Sequence, residues 1–181
     1  DLDRVVEIKA EWLSGVEGSS IYLQAGEQIS MEALLYGLLL ESGNDAAAAV
    51  ACASAGSEEK FAQWMNQKAR ELGMSSSHFT NASGLNADGH YSTARDLAKL
   101  AAACLDDETV SAICASRTAT IGTRTFTNHN RLLALYDGCV GMKTGYTQRA
   151  GRTLVSAATR EGQTLVAVTL NDPDDWQDHM E

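Results

Sequence analysis

Several things are scarce in this chain, and each scarcity removes a class of function. Positive charge is short: 14 Lys and Arg stand against 24 Asp and Glu, a net charge of -10. A nucleic-acid backbone is therefore not the expected partner, because phosphates are bound by clustered cations. Basic and neutral substrates stay open. The longest apolar run, Met31 to Leu40, is broken by Glu32 and falls well below the roughly 20 residues that span a bilayer. No membrane segment is expected. Cys52, Cys104, Cys114 and Cys139 contain no Cys-x-x-Cys pair, and His78, His90, His129 and His179 form no His-Glu-x-x-His signature. A zinc site is not expected, and no metal ligand is assigned. The even cysteine count permits disulfides without demanding them. The chain opens on Asp1-Leu2-Asp3-Arg4, without an initiator Met, a basic n-region or an apolar h-region, and reads as a processed or excised piece.

What remains is an ordinary folded composition. The 181 residues include one Pro, 44% hydrophobic and 21% charged residues, which suits one globular domain over 1–181. A strand is expected near Val5 to Ile8. The stretch "EGSSIYLQAGEQIS" reads as turn, short strand and turn before a helix capped by Ser30, with Met31, Leu34, Leu35, Leu38 and Leu39 at helical spacing. Gly43 is expected to end that helix in the left-handed conformation, and Asn44 or Asp45 to cap the next, Ala46 to Ala53. Ser57 caps a third helix with Phe61, Trp64, Met65, Ala69 and Leu72 in one stripe, ended by Gly73. A loop from Ser75 to Tyr91 leads to a helix capped by Ser92 or Thr93, with Leu97, Leu100, Ala101 and Cys104 inward, then a short helix near Val110 to Cys114. Beyond it the period changes to that of strands. "RTATIGTRTFT" alternates β-branched residues, "DGCVGMKTGYT" is a strand bounded by glycines, and "RTLVSAATR" and "QTLVAVTLN" flank Glu161-Gly162 as a hairpin. Helices early and strands late imply an α/β (α+β) fold, an antiparallel sheet packed by helices. The acidic tail after Pro173 reads as the first turn of a further helix.

Two short motifs carry chemistry. Ser42-Gly43-Asn44 stands at the joint between two helices, and Lys143-Thr144-Gly145 lies on the glycine-bounded strand. By average residue usage a Ser-x-Asn arises about once in two such chains and a Lys-Thr-Gly about once in twenty-five. The joint alone has a plain structural reading, as a turn with caps. So has the strand end. Their co-occurrence in this order is less ordinary, because it is the order found in penicillin-binding proteins and β-lactamases.

The chain resembles the low-molecular-mass penicillin-binding proteins that act as serine-type D-alanyl-D-alanine carboxypeptidases. The resemblance covers "VEGSSIYLQAGEQISMEALLYGLLLESGNDAA", "FAQWMNQKARELGMSSSHFTNASGL", "GHYSTARDLAKLA", "NHNRLL" and "GMKTGYTQRAGRTLVSAA". It implies a β-lactamase/transpeptidase-like fold, an antiparallel sheet flanked by helices with a mostly helical lobe. The implied substrate is a peptidoglycan stem peptide ending in D-Ala-D-Ala, with β-lactam antibiotics as inhibitors, no cofactor and an extracytoplasmic location. By the same resemblance Ser42 helps pass a proton to the leaving D-alanine, Asn44 bonds the substrate's peptide group, and Lys143 supplies positive potential. Thr144 helps bind the terminal carboxylate, Gly145 lets the substrate lie along the strand, and the N–H of Tyr146 forms half of an oxyanion hole. His129, in "NHNRLL", is placed near the substrate, with a loop hydrogen-bonding role as its plainer reading.

One departure matters. The family's nucleophile and base belong to a Ser-x-x-Lys upstream of the Ser-x-Asn joint, and this chain has none there; Ser57-Glu58-Glu59-Lys60 comes after it. Glu58 and Glu59 would hold Lys60 protonated, which unfits it as a base, and Ser57 reads as a helix cap. The expectation is an incomplete catalytic domain, whose "QTLVAVTLN" strand exposes an edge through which another chain associates. Two alternatives are carried: a β-lactamase of the same superfamily, and a non-catalytic peptidoglycan-binding relative.

Overall fold

The computed structural model describes residues 1–181. Strand β1 (Val5–Glu7) pairs antiparallel with β2 (Gln28–Ser30), and helices α1 (Met31–Leu39), α2 (Asn44–Ala55) and α3 (Glu58–Glu71) follow. After a long loop come α4 (Ala94–Asp106) and α5 (Glu108–Ala115), then the hairpin β3 (Thr118–Ile121) and β4 (Arg124–Thr127), and a single turn α6 (Leu132–Leu135). An antiparallel sheet of β5 (Cys139–Thr147), β6 (Gly151–Arg160) and β7 (Gln163–Leu170) ends in a second single turn, α7 (Asp175–Asp178). The expected α+β order is present, with the strands divided among three small sheets.

Local chemistry sets the helix starts. Ser30 Oγ accepts the N–H of Ala33 at 3.1 Å, Ser57 Oγ that of Lys60 at 3.2 Å and Thr93 Oγ1 that of Asp96 at 3.2 Å. Each satisfies a first-turn donor that lacks an intrahelical partner. The hairpin between β6 and β7 turns on Glu161 (φ 51) and Gly162 (φ 76), the two left-handed positions that a tight two-residue turn requires.

Two cores result. The larger joins Val6, Ile8, Ile29, Leu34, Leu40, Ala46, Ala49 and Phe126, and so packs the first hairpin, α1, α2 and β4 together. The smaller joins Ala101 of α4 to Met142 and Ala157 of the last sheet. The cleft runs between the bodies these cores define.

Three expectations need correction. The strand expected within residues 20–24 is not one: the N–H groups of Ile21 and Leu23 are taken by the Asp45 carboxylate at 3.0 and 2.9 Å, so no neighbouring strand pairs there. The pairing strand is β2, a few residues later. At the joint, Ser42 rather than Gly43 adopts the left-handed conformation (φ 57), and Gly43 (φ -63) is itself the N-cap, with Asn44 and Asp45 already in the first turn of α2. Space at 43 is tight: a Cβ there would stand 3.0 Å from Asp45 Oδ1 and 3.1 Å from Ile21 Cγ2, so a larger residue would have to push these side chains by a few tenths of an ångström. On α3 the buried residues are Ala62 and Ala69, while Trp64 is 52% exposed. Strand β7 has β6 on one side only, so the sheet edge anticipated from the sequence is open.

Candidate active site

The joint between α1 and α2 is built around one buried acid. Asp45 accepts from Ser20 Oγ (2.6 Å), Ile21 N (3.0 Å), Leu23 N (2.9 Å) and Ala46 N (2.9 Å). Burial pushes its carboxyl up, but the bonds from Ser20, Leu23, Ile21 and Ala46 outweigh that and hold it below its usual range. This ties the 19–24 segment to the joint and fixes where Ser42 and Asn44 point.

Ser42 faces β5 of the other body. Lys143 Nζ donates to Ser42 Oγ and, at 2.8 Å, to the carbonyl of its own neighbour Thr144. Burial lowers the Lys143 amine to about 8, partly offset by the nearby Cys114. The Cys114 thiol is itself pushed up to about 11, chiefly by burial. An ammonium poised near neutrality against a hydroxyl is an arrangement that can hold or pass a proton and stabilise developing negative charge. The two motifs are therefore brought together across the cleft, 101 residues apart in sequence.

The remaining named residues line the same cleft. Asn44 Nδ2 donates to Glu17 O at 2.6 Å, which leaves Oδ1 and the second Nδ2 hydrogen unpaired. Gly145 has a structural reason beyond an open strand: a Cβ there would lie 2.4 Å from Thr153 Oγ1. Tyr146 is 69% exposed at the cleft mouth, and Thr144 precedes it by two residues on the edge strand. His129 Nε2 lies 3.2 Å from Glu41 Oε2, and Glu41 Oε1 also accepts the Thr127 N–H at 2.6 Å. His129 thus both borders the cleft and braces it to the residue before Ser42. Its neighbours are structural: Asn128 Nδ2 donates to the carbonyls of Cys114 and Ser116, and Asn130 Nδ2 to that of Gly141, each at 3.0 Å. Ser57 is only a cap, as anticipated, and does not border the cleft.

The cleft encloses about 1560 Å³, larger than the ~300–1,000 Å³ of ordinary ligand pockets. Its floor is apolar, including Leu38, Leu39, Leu97, Leu100, Cys104 and Val110. The α4 stripe expected to face a core does both: Ala101 and Cys104 pack with Met142 and Ala157, while Leu97 and Leu100 border the cleft. Lys143, Arg131, Arg149 and Arg152 all border the cleft, a local excess of positive charge in an acidic chain. Glu41, Asp45, Arg131, Arg152 and Trp176 were not singled out by sequence reasoning. Asp45 carried a weak signal as a candidate cap; the others acquire meaning only through partners remote in sequence.

Comparison with known proteins gives the family and the fold. A family model described as D-alanyl-D-alanine carboxypeptidase (peptidase S11) matches residues 2–174. D-alanyl-D-alanine carboxypeptidase DacF of Bacillus subtilis is 37% identical over 166 residues, which is 89% of this chain and 43% of that protein. DacC of Escherichia coli is 40% identical over 174 residues, 93% of this chain and 44% of its own length. The crystal structure of D-alanyl-D-alanine carboxypeptidase from Mycobacterium tuberculosis H37Rv superposes with a TM-score of 0.88 at 35% identity, covering 94% of this chain and 66% of that one. The chain belongs to the D-alanyl-D-alanine carboxypeptidase family and has its penicillin-binding-protein fold. It spans under half the length of these two curated relatives.

Proposed function

We propose that these residues form the substrate-facing wall of a serine-type D-Ala-D-Ala carboxypeptidase, which removes the terminal D-alanine of peptidoglycan stem peptides through an acyl-enzyme on the extracytoplasmic side of the membrane. The observation that carries the reading is the bond from Lys143 Nζ to Ser42 Oγ, which joins the Ser-x-Asn and Lys-Thr-Gly motifs at one point. In this reading Ser42 relays a proton to the leaving amine, Asn44 Oδ1 accepts from the substrate amide, Thr144 holds the terminal carboxylate, and the N–H of Tyr146 faces the oxyanion. Gly145 and His129 shape the strand edge and the rim. No Ser-x-x-Lys stands ahead of Ser42 in residues 1–181, so this reading assigns the acylated serine and its lysine base to no residue of the chain. No helix of the chain is long and apolar enough to cross a membrane.

Intact mass after incubation with benzylpenicillin tests the assignment. The expected result is no adduct on the 181-residue chain and a one-to-one adduct on a polypeptide that also carries the upstream Ser-x-x-Lys. An adduct on the short chain that Ser57→Ala removes would overturn the assignment of the nucleophile. Rapid release of hydrolysed penicillin from the longer polypeptide would favour a β-lactamase instead.

A further inference from the structure

A short segment outside the two motifs ties the wall that carries Ser42 to the wall that carries Lys143. Residues 128–130 send successive side chains to opposite sides, as an extended chain does. Asn130, which is buried, donates from Nδ2 to the carbonyl of Gly141, two residues before Lys143 on β5. Asn128 Nδ2 holds the end of α5 through the carbonyls of Cys114 and Ser116. His129 turns the other way. Its backbone N–H donates to Leu40 O at 3.3 Å, and its Nε2 stands 3.2 Å from Glu41 Oε2. Glu41 Oε1 accepts the Thr127 N–H, so both oxygens of a carboxylate only 28% exposed are committed.

The residue next to Glu41 needs such a brace. Ser42 stands in the left-handed region (φ 57), which a residue other than glycine keeps only where its surroundings fix it. Asp45 fixes the downstream side of the joint through its four bonds. Glu41 fixes the upstream side. A continuous set of bonds therefore runs from Glu41 through His129 and Asn130 to the backbone of β5, and its length governs how closely hydroxyl and amine meet.

We infer that Glu41 is a positioning residue for the reaction: paired with His129, it sets the spacing between Ser42 Oγ and Lys143 Nζ and so keeps water from the amine. This rests on the reading of Ser42 and Lys143 as two halves of one acyl-transfer site. The two ways in which loss of Glu41 could reach Lys143 have opposite signs. Removing a nearby negative charge favours the neutral amine and lowers its pKa, whereas parting the walls admits water and raises it. Burial is what lowers this amine, with Cys114 acting against it, so the second effect is the one expected.

NMR titration of the Lys143 amine, followed at its Cε resonance in the 181-residue chain, reads that sign. The unaltered chain is expected to titrate at about 8. Glu41→Ala is expected to raise the midpoint by about one unit or more. Glu41→Gln, which keeps an acceptor for Thr127, should undo most of the rise, and His129→Ala, which leaves the Thr127 bond intact, should give a smaller one. Glu27→Ala removes the Arg124 ion pair within the larger body and should cost stability without moving the midpoint. A fall or no change in Glu41→Ala with native circular dichroism, or an equal rise in Glu27→Ala, would overturn the positioning role and leave the stem-peptide site in place. If Glu41→Ala does not fold, His129→Ala decides by the same sign. A midpoint near the ordinary 10.5 in the unaltered chain would overturn the buried pairing of Lys143 with Ser42, and both readings with it.

Discussion

Replacing Lys143 with methionine is expected to make this chain more stable near neutrality and to disable the site. The first effect follows from the buried amine. Its pKa falls from 10.5 to about 8 on folding because burial penalises the charged form. Below pH 8 both folded and unfolded chains hold the proton, and the folded state carries the whole penalty. Between about 8 and 10.5 the folded amine is neutral while the unfolded one is still charged, so the unfolded state binds more protons and stability rises with pH. At 1.36 kcal/mol per pKa unit the rise is about 3 kcal/mol. Above that window the group contributes nothing. Urea titrations of the two proteins at pH 7 and pH 11 should therefore show Lys143→Met ahead at the lower pH and level at the higher. Parallel pH dependences would refute the buried-amine account. The second effect is on chemistry. In a polypeptide that carries the upstream Ser-x-x-Lys, the same substitution removes the cation beside Ser42 and is expected to slow acylation by benzylpenicillin by about 10²- to 10³-fold. Stability gained as activity is lost is the signature of a group held against its own preference for function.

Asp45→Ala is expected to cost this chain about 4 kcal/mol, a large share of the 5–15 kcal/mol that a domain has in total. The carboxylate accepts four hydrogen bonds, two of them from the backbone N–H groups of Ile21 and Leu23, whose residues are buried. Removing it leaves those donors without water or acceptor, at about 1–3 kcal/mol each. Asp45→Asn should recover only part, because its amide presents donors where Ser20 and Leu23 also donate. The acid limb has a defined sign. A carboxyl held below its ordinary 3.8 contributes stability that is present above that value and is lost as pH falls through the lower folded value. Chemical denaturation followed by circular dichroism at pH 7 and pH 3 measures both. A loss under 1 kcal/mol at pH 7 would mean that the 19–24 segment finds its own partners.

These two residues mark the division between what the sequence makes legible and what it does not. Ser30, Ser57 and Thr93 act on donors three residues away, and the β6–β7 hairpin turns on adjacent residues, so local pattern suffices for both. Asp45 reaches back 25 residues to Ser20. Nothing in the alternation of Ser20 to Gln24 tells a strand from an extended segment whose N–H groups a distant carboxylate will take. Likewise the period of α4 identifies the face with Leu97 and Leu100, but not that a cleft lies over it. Ser42 and Lys143 were legible because their motifs are short and ordered. The approach of Arg131 and Arg152 to Trp176 was not, because it depends on the single turns α6 and α7 meeting beside the sheet.

The unequal cores have a consequence for motion. The larger core has thirteen buried residues and lies in the body that carries Ser42 and Asn44, whereas the core under the sheet that carries Lys143 and Thr144 has three, with half-buried Val140, Val155 and Val166 against them. Local opening is cheapest where least apolar surface is buried, so amides of β5 to β7 should exchange with deuterium before those of α1 and α2. A ligand that spans the cleft links the loose wall to the firm one, and its binding should be read most sensitively as slowed exchange along the strand that bears the lysine.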